Sequence, residues 1–309
     1  MEIVKLLNML PGAVAQGLIW GIMAIGVYVT YKVLDFADLT VDGTMTAGGA
    51  VCVVMLLRGH SVGEALFLSF LAGMLAGLVT GLFHTVMGIP PILAGILTQL
   101  GLYSVNLRIM GGKANQSLGM GNYDILVSLR WIKDVPFYQN TIFVTAIFVA
   151  MIIGVLYWFF GTETGCAIRA TGSNPNMSRA QGINTNLCKI MGLMLSNGIV
   201  ALGSGLYAQY QGFADVNMGR GAIVIGLAAV IIGQVTFGRI RGNFAFKMLT
   251  VAFGAIIYYL VMQVVIWLGM DPNDLKLLSA LVVAVFLSIP YLKSKYFTKP
   301  VRKGGASRA

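Results

Sequence analysis

Three of the eleven acidic residues of the chain lie close together, at Asp35, Asp38 and Asp42, between two long apolar runs. Carboxylates in apolar surroundings are costly, so they normally face a cavity or a partner. Two interpretations of this stretch stay open. It is a solvated turn in which Asp38 or Thr40 caps the next helix. Alternatively, it is a broken helix end lining a solute path, with Asp38, Thr40, Asp42 and Thr44 along that path.

A second polar cluster interrupts the apolar run that begins at Pro90 and Pro91. Paired prolines suit the start of a helix, and the run then contains Thr98, Tyr103 and Asn106. Thr98 and Asn106 are eight residues apart, so a helix places them on roughly one face. Two interpretations stay open here too: hydrogen bonds between neighbouring helices, or the lining of a pathway for a small polar solute.

The other reactive side chains form no catalytic or metal-binding set in the sequence. His60 and His84 have no acid and nucleophile at a readable spacing. Cys52, Cys166 and Cys188 lack the spacing of zinc ligands and are too few for a disulfide framework. We therefore expect neither a cofactor nor a metal in this chain, and an intramembrane enzyme is the least favoured class of function.

A long polar connection, residues 161–187, carries clear local signals of structure. Asn174 before Pro175 is a good N-cap and first-position pair, and Gly182 suits a helix end. The spacing predicts a short helix near 175–181, which would present a surface to a soluble partner.

The composition requires a lipid environment for the elements that hold these residues. The chain is 57% hydrophobic and only 10% charged, whereas soluble domains carry roughly a quarter charged residues. A span needs about 20 apolar residues, and lipid forces each span to be helical. We predict an all-α, polytopic transmembrane bundle of eight or nine spans, some of them discontinuous.

The apolar runs define one membrane domain over residues 1–292, followed by a basic tail over 293–309. The predicted spans lie near residues 10–31, 39–57, 64–87, 90–108, 138–160, 188–209, 219–236, 245–268 and 276–292.

Glycines recur every four residues at Gly73, Gly77 and Gly81, and also at Gly17 and Gly21. This spacing places each set on one helix face, where small residues let helix backbones approach closely. Simple helix packing is the favoured interpretation, and surfaces that slide during a transport cycle are the alternative.

Basic residues indicate the orientation of the C-terminal half. The net charge is +10, but the Lys and Arg residues lie in short connections and in the tail, a pattern typical of membrane orientation rather than of nucleic-acid binding. If spans alternate, the 161–187 connection, the connection around Arg239 and the tail share the cytoplasmic side. Nine spans put Lys5 and Arg108 outside, so either a short N-terminal segment does not fully cross or the rule fails there.

Three segments resemble a known family. The run Gly-Cys-Ala-Ile-Arg-Ala-Thr-Gly-Ser-Asn-Pro at 165–175, with Ala-Gln-Gly-Ile at 180–183, resembles the cytoplasmic coupling segment of permeases of the branched-chain amino acid type in ATP-binding-cassette importers. The runs at 34–43 and 102–111 resemble a subgroup linked to tryptophan or tyrosine uptake. The likeness covers about residues 10–292.

This resemblance implies a permease subunit in a prokaryotic plasma membrane that translocates a small solute, with an aromatic amino acid as the best candidate. It implies a permease homodimer, cytoplasmic ATPase subunits that hold ATP and Mg²⁺, and an extracytoplasmic solute-binding protein. The residues expected to meet the ATPase are Arg169, Gly172, Asn174, Pro175, Met177, Gly182 and Ile183.

The sequence agrees that ATP hydrolysis belongs to a partner. It contains no Gly-x-x-x-x-Gly-Lys-Ser/Thr phosphate loop, because Gly112-Lys113 is followed by Ala114. We expect a transport subunit rather than an enzyme. The alternative is an ion-coupled secondary transporter or channel that uses Asp38 or Asp42 as its ion or proton site.

Overall fold

The computed structural model of the chain describes residues 2–119, 123, 125–129, 131, 139–237, 242–268, 277, 279–286 and 288. Within these ranges the chain forms ten α-helices and one two-stranded antiparallel sheet. The helices are α1 Glu2–Tyr28, α2 Val41–Leu57, α3 Val62–Thr85, α4 Pro91–Ile109, α5 Thr141–Phe159, α6 Glu163–Ser173, α7 Pro175–Ala180, α8 Thr185–Gln211, α9 Ala222–Phe237 and α10 Phe244–Trp267. A π-helical turn, Val29–Val33, continues α1. The strands are β1 Asn115–Ser117 and β2 Phe213–Asp215.

The predicted all-α membrane bundle is confirmed. Six helices in the described part of the chain are long and apolar enough to cross a membrane, and α2 and α9 are shorter apolar helices. Each of the first eight predicted spans coincides with one of these helices. The ninth, near 276–292, falls largely outside the described residues, as does the tail 293–309.

Local signals place the helix ends. Ser61 and Glu64 form a reciprocal capping box at the start of α3, and Pro91 occupies the first turn of α4, as the paired prolines predict. Gly212 ends α8 in the left-handed conformation, with a φ of 81°.

α8 lies at the centre of the bundle, where it packs against α1, α2 and α3. The glycines of α3 meet it: a Cβ on Gly73 would overlap the carbonyl of Asn197, and one on Gly77 would overlap the carbonyl of Leu193. The close packing predicted from the glycine spacing is confirmed, and α3 and α8 run antiparallel.

The bundle has two ends, defined here by the position of α6 and α7. The coupling end carries α6 and α7, and the far end carries the β1–β2 sheet. α1 runs from the far end, where the Gly12 carbonyl accepts from the Tyr210 hydroxyl, to the coupling end, where the Val33 carbonyl meets Gly172.

Two short helices begin in the middle of the bundle. α2 starts beside the midpoint of α8, where the Thr44 hydroxyl donates to Asn197 Oδ1 over 2.7 Å, and it runs to the far end. α9 starts against Asp42 and runs to the coupling end. The prediction that some spans are discontinuous is thereby supported for α2 and for α9.

The N-terminal half crosses the bundle between α1 and α3. The extended segment 34–40 together with α2 leads from the coupling end to the far end, and α3 returns. The chain therefore changes ends in this segment.

Candidate functional site

The break after α1 is formed by residues 34–40, which are neither helix nor strand. Within it, Asp35 has a φ of 52°, an uncommon conformation for a residue with a side chain. Asp38 is only 2% exposed, so the solvated-turn interpretation is wrong for this residue, whereas Asp35 is exposed. Thr40 occupies the N-cap position of α2 but its side chain makes no capping bond. Asp38 Oδ1 instead accepts from the Thr40 N–H over 2.9 Å.

Asn197 connects this break to α8 and α2. Its Nδ2 donates to Asp38 Oδ2 over 2.7 Å and to the Leu193 carbonyl over 3.0 Å, while its Oδ1 accepts from Thr44. A buried charge is tolerated only when it is well hydrogen-bonded, and this arrangement supplies the bonds. Sequence reasoning missed Asn197, although a polar residue in the middle of the 188–209 span was a signal.

A chain of threonine hydroxyls holds α4 against the same region. The Thr40 hydroxyl lies 2.7 Å from that of Thr80, which donates to Thr98 over 2.9 Å, and Thr98 donates to the Ala94 carbonyl. All three threonines are buried. For Thr98, the interpretation of hydrogen bonds between helices is confirmed.

A pocket of about 280 Å³ opens beside the starts of α2 and α9. Three predicted pathway residues, Asp42, Tyr103 and Asn106, line it, together with Gln99 and Arg220. The other predicted pathway residues lie in the buried hydrogen-bonded frame instead; these are Asp38, Thr40, Thr44 and Thr98.

Asp42 forms the wall between this pocket and α9. Its Oδ2 accepts from the Gly221 N–H and its Oδ1 from the Ile223 N–H, each over 2.9 Å. An acid at a helix N-terminus satisfies free N–H groups and complements the helix dipole. Asp42 therefore joins the beginnings of the two short helices.

The short helix predicted in the 161–187 connection is confirmed as α7. Asn174 Oδ1 accepts from the Met177 N–H over 3.0 Å, and Pro175 takes the first turn. Gly182 follows with a φ of 83°, as expected for a residue that ends a helix. Asn184 then caps α8 by accepting from the Leu187 N–H over 3.1 Å.

The residues predicted to meet an ATPase divide into three groups. Asn174, Pro175, Met177 and Gly182 are exposed on and around α7, with Met177 59% exposed. Ile183 is half-buried and packs on the core. The two remaining residues, Arg169 and Gly172, contact the membrane helices, although Arg169 is also exposed.

Gly172 and Arg169 join α6 to the bundle. A Cβ on Gly172 would overlap the Val33 carbonyl oxygen, so α6 lies directly against the end of the first span. The Arg169 guanidinium lies over the Phe244 ring, 5.1 Å from its centroid, which links α6 to α10. Lys32 and Lys247 join Arg169 around an adjacent cavity of about 590 Å³.

In the described part of the chain, no group of three or more His, Cys, Asp and Glu side chains could hold a metal ion. Cys52 and Cys188 are buried free thiols, whereas Cys166 is an exposed one.

Comparison with known proteins identifies the family. The family described as "Branched-chain amino acid transport system / permease component" matches residues 9–289. A tyrosine transport system permease protein of Clostridioides difficile (strain R20291) is 39% identical over 273 residues, which make up 88% of each chain. A nucleoside ABC transporter permease protein of Lactococcus lactis is 27% identical over 213 residues, or 64% of this chain and 66% of that one.

The fold is also found among solved structures. PsaBC from Streptococcus pneumoniae in complex with Fab aligns with a TM-score of 0.54 and 16% identity, over 95% of this chain and 99% of that chain. The family match favours the importer over the ion-coupled alternative. This multi-pass membrane protein thus belongs to the family of branched-chain amino acid transport permeases and is a permease subunit of an ATP-binding-cassette importer.

Proposed function

We propose that this permease imports an aromatic amino acid across a prokaryotic plasma membrane, with tyrosine as the first substrate to test. The support is the tyrosine transport permease of Clostridioides difficile, whose 39% identity extends over 88% of both chains. The family match extends over residues 9–289, a range that includes the break, the pocket and the coupling segment.

The working transporter contains two copies of this chain, cytoplasmic ATPase subunits that bind ATP and Mg²⁺, and an extracytoplasmic solute-binding protein. The coupling end faces the cytoplasm and so does the C-terminus. The observation that carries this proposal is the exposed surface of α7, where Met177 projects from a helix fixed by Asn174 and Pro175. A large apolar side chain exposed on a short, well-capped helix suits docking to a soluble partner.

Movement of α7 reaches the bundle through α6. Because Gly172 leaves no gap at the Val33 carbonyl, a push on α6 displaces the end of α1 and the adjoining break. The break is bonded to α8 and α2 through Asp38 and Asn197. ATP-driven closure of the ATPases would thereby bias the bundle between outward and inward states.

The solute passes the pocket lined by Asp42, Tyr103 and Asn106, where the two short helices begin. Unwound backbone at a helix break is tolerated where it lines a cavity. Asp38, Thr40, Thr44 and Thr98 contribute to this pathway by holding its walls.

Replacement of Met177 tests the docking surface. Met177→Asp should abolish uptake in proteoliposomes containing the ATPase and binding protein, and it should weaken ATPase co-purification. Met87→Asp is the matched control, because Met87 is a 66% exposed methionine at the same end of the bundle. Equal uptake by the two variants would contradict docking on α7.

Two glycines with left-handed backbone conformations at this end provide a second variant and its control. Gly182→Trp should lose uptake while the protein still inserts into membranes. Gly88→Trp carries the same backbone strain, since its φ is 69°, and its surroundings are equally open. It should keep most of the uptake. Normal uptake by Gly182→Trp would count against the assignment of the coupling segment.

The substrate itself is tested by uptake of radiolabelled tyrosine, tryptophan, phenylalanine and leucine. We expect the aromatic amino acids to be taken up and leucine to be excluded. Uptake of leucine without tyrosine would overturn the substrate proposal and leave the permease role intact.

A further inference from the structure

The pocket beside the two short helices has the size and lining of a small-molecule site. Its volume of about 280 Å³ is close to the lower bound for ligand pockets, about 300 Å³. Its lining combines the apolar Leu100 and Val216 with the polar side chains of Gln99, Tyr103 and Asn106.

Asn106 offers a buried acceptor that this chain leaves unused. The side chain is 1% exposed, and its Nδ2 donates to the Gly43 carbonyl over 3.2 Å, which fixes the orientation of the amide. Its Oδ1 has no hydrogen-bond partner among the described residues and is closed to solvent in this conformation, so a ligand reaches it only when the pocket opens further. Buried acceptors in folded proteins are normally paired, so this oxygen is suited to a donor that arrives with a ligand.

Arg220 offers the complementary charge. Its exposed side chain lines the same pocket, and within the described ranges no acid lies within ion-pair distance of it. Asp42 does not take this role, because both of its carboxylate oxygens accept backbone N–H groups of the α9 start. A guanidinium binds a carboxylate through two parallel hydrogen bonds, and the nearby start of α2 adds the positive end of its dipole.

We propose that this pocket binds the zwitterionic end of an amino acid, with its α-carboxylate on Arg220 and its α-ammonium on Asn106 Oδ1. Tyr103 then lies beside the side chain of the solute. The inference rests on the proposed function, since it takes an amino acid as the transported solute. Recognition of groups common to all amino acids leaves the choice among them to the binding protein.

The test uses the purified permease alone, with one reporter thiol. Leu100→Cys places this thiol in the pocket lining, in a Cys166→Ser background that removes the exposed native cysteine. The measured quantity is the rate of reaction with a hydrophilic maleimide. Tyrosine should slow the reaction, whereas tyramine, which lacks the carboxylate, should not.

Arg220→Gln should raise the tyrosine concentration needed for protection by about tenfold, the effect of losing one charge-assisted bond. The side chain is exposed, so folding is not at risk. Arg108→Gln is the matched control, since Arg108 is an exposed arginine of α4 outside the pocket lining. It should leave protection unchanged.

Three results would overturn the pocket assignment: equal protection by tyrosine and tyramine, unchanged protection in Arg220→Gln, or no protection by any amino acid. Tyrosine uptake by the complete transporter distinguishes a failure of the pocket assignment from a failure of the proposed function. Normal tyrosine uptake without protection overturns the pocket alone. Protection by other amino acids, together with absent tyrosine uptake, overturns the proposed substrate and supports the pocket.

Discussion

α4 and α5 have the same length, 19 residues each, and both lie on the outside of the described bundle. Their exposed faces differ. That of α5 is apolar, with large side chains at Ile147, Met151 and Val155, and its only polar groups are the Tyr157 hydroxyl and the Trp158 indole N–H. That of α4 includes Ser104 and Arg108 besides Tyr103. The α5 face suits lipid, whereas the second half of α4 suits water or a protein partner.

The buried polar groups of the two helices differ as well. The buried polar groups of α4 bond to other elements, Thr98 to Thr80 and Asn106 to the Gly43 carbonyl. Of the two buried hydroxyls of α5, that of Thr145 bonds within the helix, to the Thr141 carbonyl, and that of Thr141 bonds to the Ser128 carbonyl in the segment before the helix. Two apolar helices of equal length therefore have different roles. α5 anchors the bundle in lipid, and α4 completes the polar interior of the bundle.

The largest expected effect concerns one glycine in each helix. A Cβ on Gly95 of α4 would lie 2.7 Å from the Leu39 backbone nitrogen, whereas one on Gly154 of α5 would meet nothing within 4 Å. Gly95→Leu should cost about 3 kcal/mol of stability through overpacking, and Gly154→Leu should cost nothing. Thermal unfolding in detergent measures both, and equal losses would break the comparison.

The exposed faces can be compared by thiol labelling. Leu100 of α4 and Met151 of α5 are 65% and 54% exposed. In membranes and a Cys166→Ser background, Leu100→Cys should react with a hydrophilic maleimide many times faster than Met151→Cys, because thiols in lipid do not ionise readily. Similar rates would show that both helices face the same medium.

The smallest expected effect separates the inner faces. Thr98→Val removes the acceptor used by Thr80, which can turn back to the Ala76 carbonyl, so the loss should be about 1 kcal/mol. Thr145→Val removes only a bond within its own helix and should be nearly neutral. Chemical unfolding of the two variants makes the measurement. A larger loss in Thr145→Val would reverse the assignment.

Local patterns predicted most of the elements. Apolar runs gave eight of the helices because burial in lipid depends on length and composition, and the spacing of Asn174, Pro175 and Gly182 predicted α7 because capping acts within a few residues. The same reasoning did not find the role of Asn197. Its bond to Asp38 joins positions 159 residues apart, and no local pattern carries such a pairing.

The sequence predicted several residues of the site but not how they are arranged. Asp42, Tyr103 and Asn106 were selected because they are polar residues in apolar runs, and the structure brings them to one pocket. Thr40 and Thr98 were selected for the same reason and lie in a buried network. Polarity shows that a residue needs a partner, whereas only the fold decides whether that partner is a neighbouring helix or a solute.

The bond between Asp42 and the start of α9 has a consequence for how the sequence can change. The Asp42 carboxylate accepts from backbone N–H groups there, at Gly221 and Ile223. The bond at position 223 therefore does not depend on the side chain there, while position 221 is held to glycine by a φ of 85°. No other carboxylate side chain has the length of Asp42, since glutamate is one carbon longer. Among related permeases, an aspartate should thus persist at this position together with the glycine that donates to it.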